Sequence, residues 1–190
     1  SLTDYNVANK VINYDEQTRA IAQNYEYFAT RYEEAEKNYE SSLKLIEDVE
    51  KYMLMRAKLI KANEEFINTL EDVTRISGKI TEIETFTSED KQATNEELQG
   101  YKTDLKDAEK KIALLTEQIN SYKESKEGVA IEGLVDEWLK QTLLYTKSKA
   151  ELGVLNKRKQ EFDNLYKTYS PVGTRIKQQE REINLSEQSY

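Results

Sequence analysis

Two glycines five positions apart, Gly128 and Gly133 in the run GVAIEG, have the spacing of a phosphate-binding loop. Such a loop continues with Lys and then Ser or Thr, whose side chains reach the phosphates and Mg²⁺. Leu134 and Val135 stand at those positions here. We therefore expect no nucleotide site, and we interpret Gly128 and Gly133 as a hinge between helices.

Carboxylates are the other side chains that could take part in catalysis, for example Glu33, Glu34 and Glu36. Acid–base catalysis by two carboxylates needs a pair that converges in a cleft, with one member desolvated. The sequence has no His and no Cys, so it lacks the usual general base, the commonest zinc ligands and all thiol chemistry. These residues predict a protein that is not an enzyme and that has no metal site and no cofactor.

Composition favours long helices with little interior. Charged residues make up 34% of the chain, the hydrophobic class 37%, and there are only six glycines and one proline. The net charge of −8 repels phosphate backbones, so we expect no nucleic-acid partner. No stretch approaches the roughly 20 apolar residues of a membrane span. We expect membrane contact only through segments outside these residues.

A heptad seam begins at Val7 and continues without interruption to Leu70. A spacing that averages 3.5 residues keeps one narrow stripe on a partner helix, which is typical of a coiled coil. At 1.5 Å per residue the stripe is about 95 Å long. Tyr25, Tyr32 and Tyr39 occupy successive equivalent positions, and we interpret their rings as packing groups. The pattern predicts an elongated helical module that spans distance or presents a surface.

A second stripe, offset by one residue, overlaps the first and widens the apolar face, which favours contact with two neighbouring helices. Its members are Leu59, Ala62, Phe66, Thr69, Val73, Ile76, Ile80 and Ile83. Two further seams run from Leu98 to Tyr122 and from Leu134 to Tyr169. We predict a first arm over about residues 3–85 and a return arm over about 94–169, with a break near 125–133.

The fold prediction is therefore all-α: an elongated antiparallel coiled-coil hairpin, or a three-helix bundle of long helices, forming one module over residues 1–190. In the hairpin layout the chain reverses once near 86–94, and the return arm is only kinked near Gly128. In the second layout it reverses again at 125–133, so that shorter helices pack three abreast. Matching arm lengths favour the hairpin.

Pro171 and Gly173 predict a turn over residues 170–173. Proline removes a backbone donor and disfavours helix at the residue before it, so the preceding helix is expected to stop near Tyr169. A last helix is expected over 174–190.

The run from Tyr169 through Pro171, Gly173 and Ile176-Lys177 to Glu180-Arg181-Glu182-Ile183 resembles the periplasmic helical region of exopolysaccharide chain-length determinant proteins, the Wzz/GumC-like polysaccharide co-polymerases. The resemblance covers about 22 of the 190 residues. It implies a periplasmic location for this region, in an inner-membrane parent protein whose copies assemble into a ring. It implies no catalytic residue.

This resemblance leads to the function expected from the sequence: a stalk in a polysaccharide co-polymerase that controls exopolysaccharide chain length or assists export. Its partners would be other copies of the chain and the polysaccharide polymerase or export machinery. Two alternatives stay open at this point. One is the helical hairpin of a periplasmic adaptor in an export system, and the other is a cytosolic coiled-coil tether.

Overall fold

The computed structural model describes residues 2–85, 91–120 and 130–169. Within these ranges the chain forms five helices and no strand, so the all-α prediction is confirmed there. The helices are α1 (Leu2–Met53), α2 (Met55–Ala62), α3 (Glu64–Glu84), α4 (Lys91–Ile119) and α5 (Ile131–Tyr169).

Helix α1 ends because Leu54 leaves the helical region of backbone space. Its φ is 54° and its ψ is −124°. These angles belong to the first central position of a type II′ turn, which glycine dominates because it has no Cβ. Leu54 is the only non-glycine residue with positive φ in the described part of the chain. One residue later the chain enters the short helix α2.

Helix α3 begins with a side-chain cap. Asn63 has extended backbone angles, and its side-chain oxygen accepts a hydrogen bond from the backbone N–H of Phe66 at 3.0 Å. Such a cap satisfies one of the amide groups that the first helical turn leaves without a partner. Glu64 and Glu65 in the first turn favour the same helix start, because carboxylates interact well with the positive end of the helix dipole.

Contacts to α5 set the directions of α1 and α3. The Tyr39 ring of α1 stacks on Tyr145 of α5, and Glu50 accepts a hydrogen bond from Trp138, so these helices are antiparallel. Phe66 of α3 stacks on the same Trp138. Further along α3, a methyl group added at Gly78 would lie 3.8 Å from Val154 Cγ2. Helices α3 and α5 are therefore parallel, and α1 and α3 run in opposite directions.

Helix α4 is antiparallel to α5. Lys147 on α5 pairs with Glu109 on α4 at 2.8 Å, whereas Asn120 just after α4 shares a groove with Glu132 near the start of α5. The hairpin layout needs α4 and α5 to continue in one direction with only a kink between them. These contacts exclude it, because the chain reverses between the two helices.

The predicted first arm also differs from the structure. The sequence predicts one arm over about residues 3–85, and these residues form α1, α2 and α3, with a reversal between Met53 and Glu64. The heptad seam passes through this reversal without a break in its spacing. The seam records which residues are apolar, and it carries no information on where the backbone folds back.

The chain divides into two units. One comprises Ser1–Arg31 with Asn156–Tyr190, and the other comprises Tyr32–Leu155. In the first unit Phe28 is buried, and Arg31 donates a hydrogen bond to the Tyr27 hydroxyl at 3.1 Å.

The second unit holds two core clusters. The larger one joins α1, α2, α3, α4 and α5 through Met53, Ala57, Ile60, Phe66, Ile112, Ile131, Val135, Trp138 and Leu139. The smaller one joins α3 to α4 through Val73, Ile76, Ile80 and Ala108. The partly buried Leu143 packs against both clusters, so together they hold the helices side by side.

Several hydroxyl groups are buried on the inner helix faces. Each donates a hydrogen bond to a backbone carbonyl three or four residues earlier in its own helix. These are Ser42, Thr69, Thr81, Thr116 and Ser148. A buried hydroxyl without a partner would be costly, and this local bond removes that cost.

Candidate functional site

The most distinctive site in the described chain is the reversal between α1 and α3, which we call the elbow and define as residues 53–64. Trp138 of α5 lies beside it and is fully buried. Its indole N–H donates to Glu50 Oε1 at 3.0 Å, and Lys61 Nζ lies 2.9 Å from the same oxygen. One carboxylate oxygen thus links α1, α2 and α5.

The spacing of Glu50 and Lys61 itself requires the reversal. In a straight helix, eleven residues separate two Cα atoms by about 16 Å along the axis. A hydrogen bond of 2.9 Å between these side chains is made because α2 folds back toward the end of α1. The Lys61 side chain is 48% exposed, so the ion pair fixes geometry more than it adds stability.

Aromatic packing completes this side of the elbow. The Phe66 and Trp138 rings are stacked, with centroids 5.7 Å apart and an interplanar angle of 23°. Both residues are fully buried. Such a pair contributes about 0.5–1.5 kcal/mol beyond the area that it buries. The start of α3 is therefore held firmly against α5.

The backbone of the elbow is strained at Leu54. A non-glycine residue in a sparsely populated region costs on the order of 1–3 kcal/mol and persists where surrounding contacts hold it. Leu54 itself makes little of that contact, since its side chain is 56% exposed. The restraint comes from its neighbours, because Met53 and Ala57 are both buried in the larger cluster.

The outer surface of the elbow includes large apolar side chains. These are Leu54, Met55 and Leu59, each more than half exposed, and Tyr52 just before the elbow is equally exposed. Leu59 belongs to the second apolar stripe of the sequence, and Ile67 of the first seam is 41% exposed on α3. The elbow thus leaves uncovered some residues that the heptad pattern assigns to an inner face.

A shallow groove of about 400 Å³ lies between the end of α4 and the start of α5. Its acidic residues are Glu117, Glu132 and Asp136, and all three are exposed. Exposed carboxylates keep their water, so this groove lacks the desolvated acid that carboxylate catalysis needs. Across the described residues, no group of three or more acidic side chains has a metal-binding arrangement.

Tyr39 and Tyr145 form a second aromatic contact, between α1 and α5. Their ring centroids are 5.1 Å apart. The hydrogen bond between the two hydroxyls raises the pKa of Tyr39 above its ordinary value near 10, with repulsion from Tyr145 and burial adding to the effect. Lys149 acts in the opposite direction, and its amino group lies 5.8 Å from the Tyr145 ring centroid. The contact is a structural one between helices.

The site residues expected from the sequence lie mostly elsewhere. Gly128, Pro171 and Gly173 fall outside the described residues, so the predicted hinge at Gly128 and the turn at 170–173 stay predictions. The last helix over 174–190 also lies outside them. Gly133 lies inside α5, where an added methyl group would meet no atom within 4 Å. The helix continues through Gly133, and a hinge at this residue stays a prediction.

Sequence reasoning missed the elbow, although part of it carries a signal. Asn63 followed by Glu64, Glu65 and Phe66 has the pattern of a capped helix start: an Asn cap, acids in the first turn and an apolar residue. Its place in an unbroken heptad seam concealed it. Leu54 carries no such signal, because leucine strongly favours helix over a type II′ turn.

Comparison of the sequence and the structure with protein-family models, curated proteins and solved structures found no match. A search of the described helices for one long and apolar enough to cross a membrane found none.

Proposed function

We propose that this chain is a non-enzymatic structural and assembly module, the extracytoplasmic helical region of an inner-membrane polysaccharide co-polymerase. In this role it helps to control the chain length of an exopolysaccharide or to export it. The single observation that supports a non-enzymatic structural role is the larger core cluster around Trp138. It joins five helices through apolar contacts, and the acids that line the groove beside it are all exposed.

The arrangement belonging to this proposal is an elongated antiparallel coiled coil or bundle of long helices. Two observations support it. Helices α1 and α5 are 52 and 39 residues long, and they are antiparallel where Tyr39 meets Tyr145 and Glu50 meets Trp138. Helices of that length exceed the usual three or four turns of globular proteins.

The two ends of the described chain support a parent that is anchored at both flanks. Residues 2–31 and 156–169 belong to the same unit. In the proposed parent, segments preceding and following these residues would leave from that one unit, as suits two transmembrane helices in a single membrane. In this proposal the protein contacts the membrane through those flanking segments and is periplasmic between them.

The polysaccharide half of the proposal is supported by the sequence around Pro171 and Gly173, which resembles chain-length determinant proteins. The partners are then other copies of the chain, in a homo-oligomer of the full-length protein, together with the polymerase or export machinery. The residues act through packing, and the proposal assigns no catalytic role.

The reading frame around this module gives the first test. Two apolar segments of about 20 residues that bracket it are expected. A parent without membrane segments would contradict the proposal and favour a cytosolic tether. Flanking β-rich segments would favour the adaptor alternative. The exposed apolar side chains at the elbow also suit an adaptor, because such a protein docks through the tip of its helical hairpin.

A genetic experiment tests the activity. An in-frame deletion of residues 32–155 from the parent gene should change the length distribution of the surface polysaccharide on a gel. The control is Leu114→Ala, a change at a 59% exposed residue of α4 that should leave the distribution as in wild type. An unchanged distribution in the deletion strain, with the parent protein still produced, would refute the role in chain length.

A further inference from the structure

We propose that the elbow straightens when two copies of this chain meet, so that they exchange their α1 helices and form a domain-swapped dimer. In the swapped form α1, α2 and α3 are one continuous helix. The α1 segment of each copy packs against α5 of the other. This inference does not depend on the polysaccharide assignment.

The first argument is the continuity of the heptad seam across the elbow. The seam steps through Met53, Arg56 and Ile60 to Asn63 and Ile67 with no change of spacing. An unchanged register is what a continuous helix through the elbow requires, because its apolar residues must stay on one face. The same residues therefore satisfy a straight helix as well as a folded one, apart from the bonds made at the break itself.

The second argument is the strain at Leu54. The folded form holds a leucine at φ 54° and ψ −124°, a conformation that suits glycine. In a straight helix Leu54 takes ordinary helical angles, for which leucine is among the best residues. Straightening thus removes a penalty that the folded chain carries.

The third argument is what the folded form leaves exposed. Leu59 and Ile67 are 62% and 41% exposed, although both lie on the apolar face defined by the seam and the second stripe. In a symmetric swapped dimer the two straightened segments cross near the elbow, and each covers this face of the other. A monomer has no second segment with which to do so.

Straightening needs a second copy of the chain, because in a single chain it would remove the buried contacts that α1 and α2 make with α5. Met53, Ala57 and Ile60 are buried beside Trp138, and Glu50 is bonded to its indole. A swapped partner supplies the identical Trp138 and α5, so the contacts that α1 makes with them, including the bond of Glu50 to the indole, are made again between copies. For this reason an exchange of identical elements is an inexpensive route to a dimer.

Pulsed EPR distance measurement tests the proposal directly. The chain has no cysteine, so Lys44→Cys with Glu71→Cys, both at exposed positions, gives a clean pair of spin-label sites on α1 and α3. In the folded form both helices contact α5, and the labels should be less than about 25 Å apart. In a continuous helix, 27 residues place them about 40 Å apart.

Labelled protein is refolded from denaturant with an excess of unlabelled protein, at low and at high concentration, and its mass is measured by light scattering. The dilution restricts the EPR signal to distances within one chain. We expect monomer with the short distance at low concentration, and dimer with the distance near 40 Å at high concentration. Absence of dimer at high concentration, or a dimer that keeps only the short distance, would overturn the proposal.

Two substitutions should move the equilibrium in opposite directions. Leu54→Gly relieves the strained turn and weakens the straight helix, so at each hinge it should favour the folded form about tenfold. The dimer has two hinges, so its association constant should fall about a hundredfold. Asn63→Ala removes the cap of α3 and should strengthen the dimer by a similar factor.

The control is Leu45→Gly, which places the same substitution at an exposed position inside α1. Residue 45 is helical in both forms, so this variant should leave the monomer–dimer equilibrium within about threefold of wild type. Circular dichroism verifies that each variant is helical. Equal effects of Leu54→Gly and Leu45→Gly would overturn the role of the hinge.

Discussion

At the scale of single residues, Trp138 is the point where sequence-distant parts of the chain meet. Its ring packs on Phe66 and its N–H reaches Glu50, which lies 88 positions earlier in the chain. A buried indole N–H without a hydrogen-bond partner is costly, because it has lost its bond to water. Glu50 supplies that partner and helps to align α1 with α5.

Trp138→Phe should keep most of the packing and lose the hydrogen bond to Glu50. The expected cost is about 1–3 kcal/mol of unfolding free energy, because a smaller ring and a lost bond add together. Denaturant unfolding followed by circular dichroism measures it. Glu50→Gln keeps an acceptor for the indole and loses only a half-exposed ion pair, so it should cost less than about 1 kcal/mol. A neutral Trp138→Phe variant would contradict this account of the site.

Tyr39 predicts a dependence of stability on alkaline pH. Its pKa is raised in the folded chain, so as pH increases the unfolded state loses the tyrosine proton first. The stabilisation is fully present below the unfolded value near 10 and is lost as pH rises through the folded value. Tyr39→Phe should therefore show a shallower fall of the urea midpoint between about pH 9 and 11 than wild type. Tyr52→Phe is the comparison variant, because it makes the same substitution at a well exposed tyrosine.

At the scale of helices, much of the inner surface was predictable. The seam residues Phe28, Ala35, Met53 and Ile60 are buried, and so are Phe66, Val73, Ile76 and Ile80 of the second stripe. Periodicity succeeds here because a helix that packs along its length must repeat its apolar residues at helical spacing.

The reversal at Leu54 and the directions of the helices were not predictable in this way. A heptad pattern is the same for a helix that continues and for one that folds back, since both place the same residues on one side. The outcome depends on contacts between distant residues, such as Phe66 with Trp138 and Lys61 with Glu50. The sequence does not show these pairs, and the strained turn at Leu54 opposes its local preference.

Gly133 provides a test at this scale. It lies in the first turns of α5, where a methyl group would meet no neighbour, so Gly133→Ala should leave stability unchanged or raise it by up to about 1 kcal/mol. Gly100→Ala is the matched variant, since Gly100 lies inside α4 with equally open surroundings. Thermal unfolding measures both. A clear loss of stability for Gly133→Ala alone would support the hinge that the sequence predicts.

At the scale of the whole molecule, both core clusters lie inside one unit. All of their residues, from Ile46 to Leu143, fall within Tyr32–Leu155. The cluster residues that the structure describes therefore all belong to the unit that they hold together.

Residues 32–155 expressed alone should therefore fold. We expect a cooperative denaturant transition and the blue-shifted fluorescence of a buried indole, reported by Trp138, the single tryptophan of the chain. Ile112→Asp in the same fragment places a charge in the larger cluster and should abolish both signals. Emission at the wavelength of free tryptophan from the unsubstituted fragment would show that the unit depends on the rest of the chain.

The hydroxyls of Thr69, Thr81 and Thr116, which donate to backbone carbonyls of their own helices, have an evolutionary consequence. Each polar group is satisfied by its own backbone, so its replacement by alanine or valine leaves no orphaned partner on a neighbouring helix. Such positions can drift one at a time, with no compensating change elsewhere. A lineage of this architecture can therefore lose sequence similarity much faster than it loses its packing.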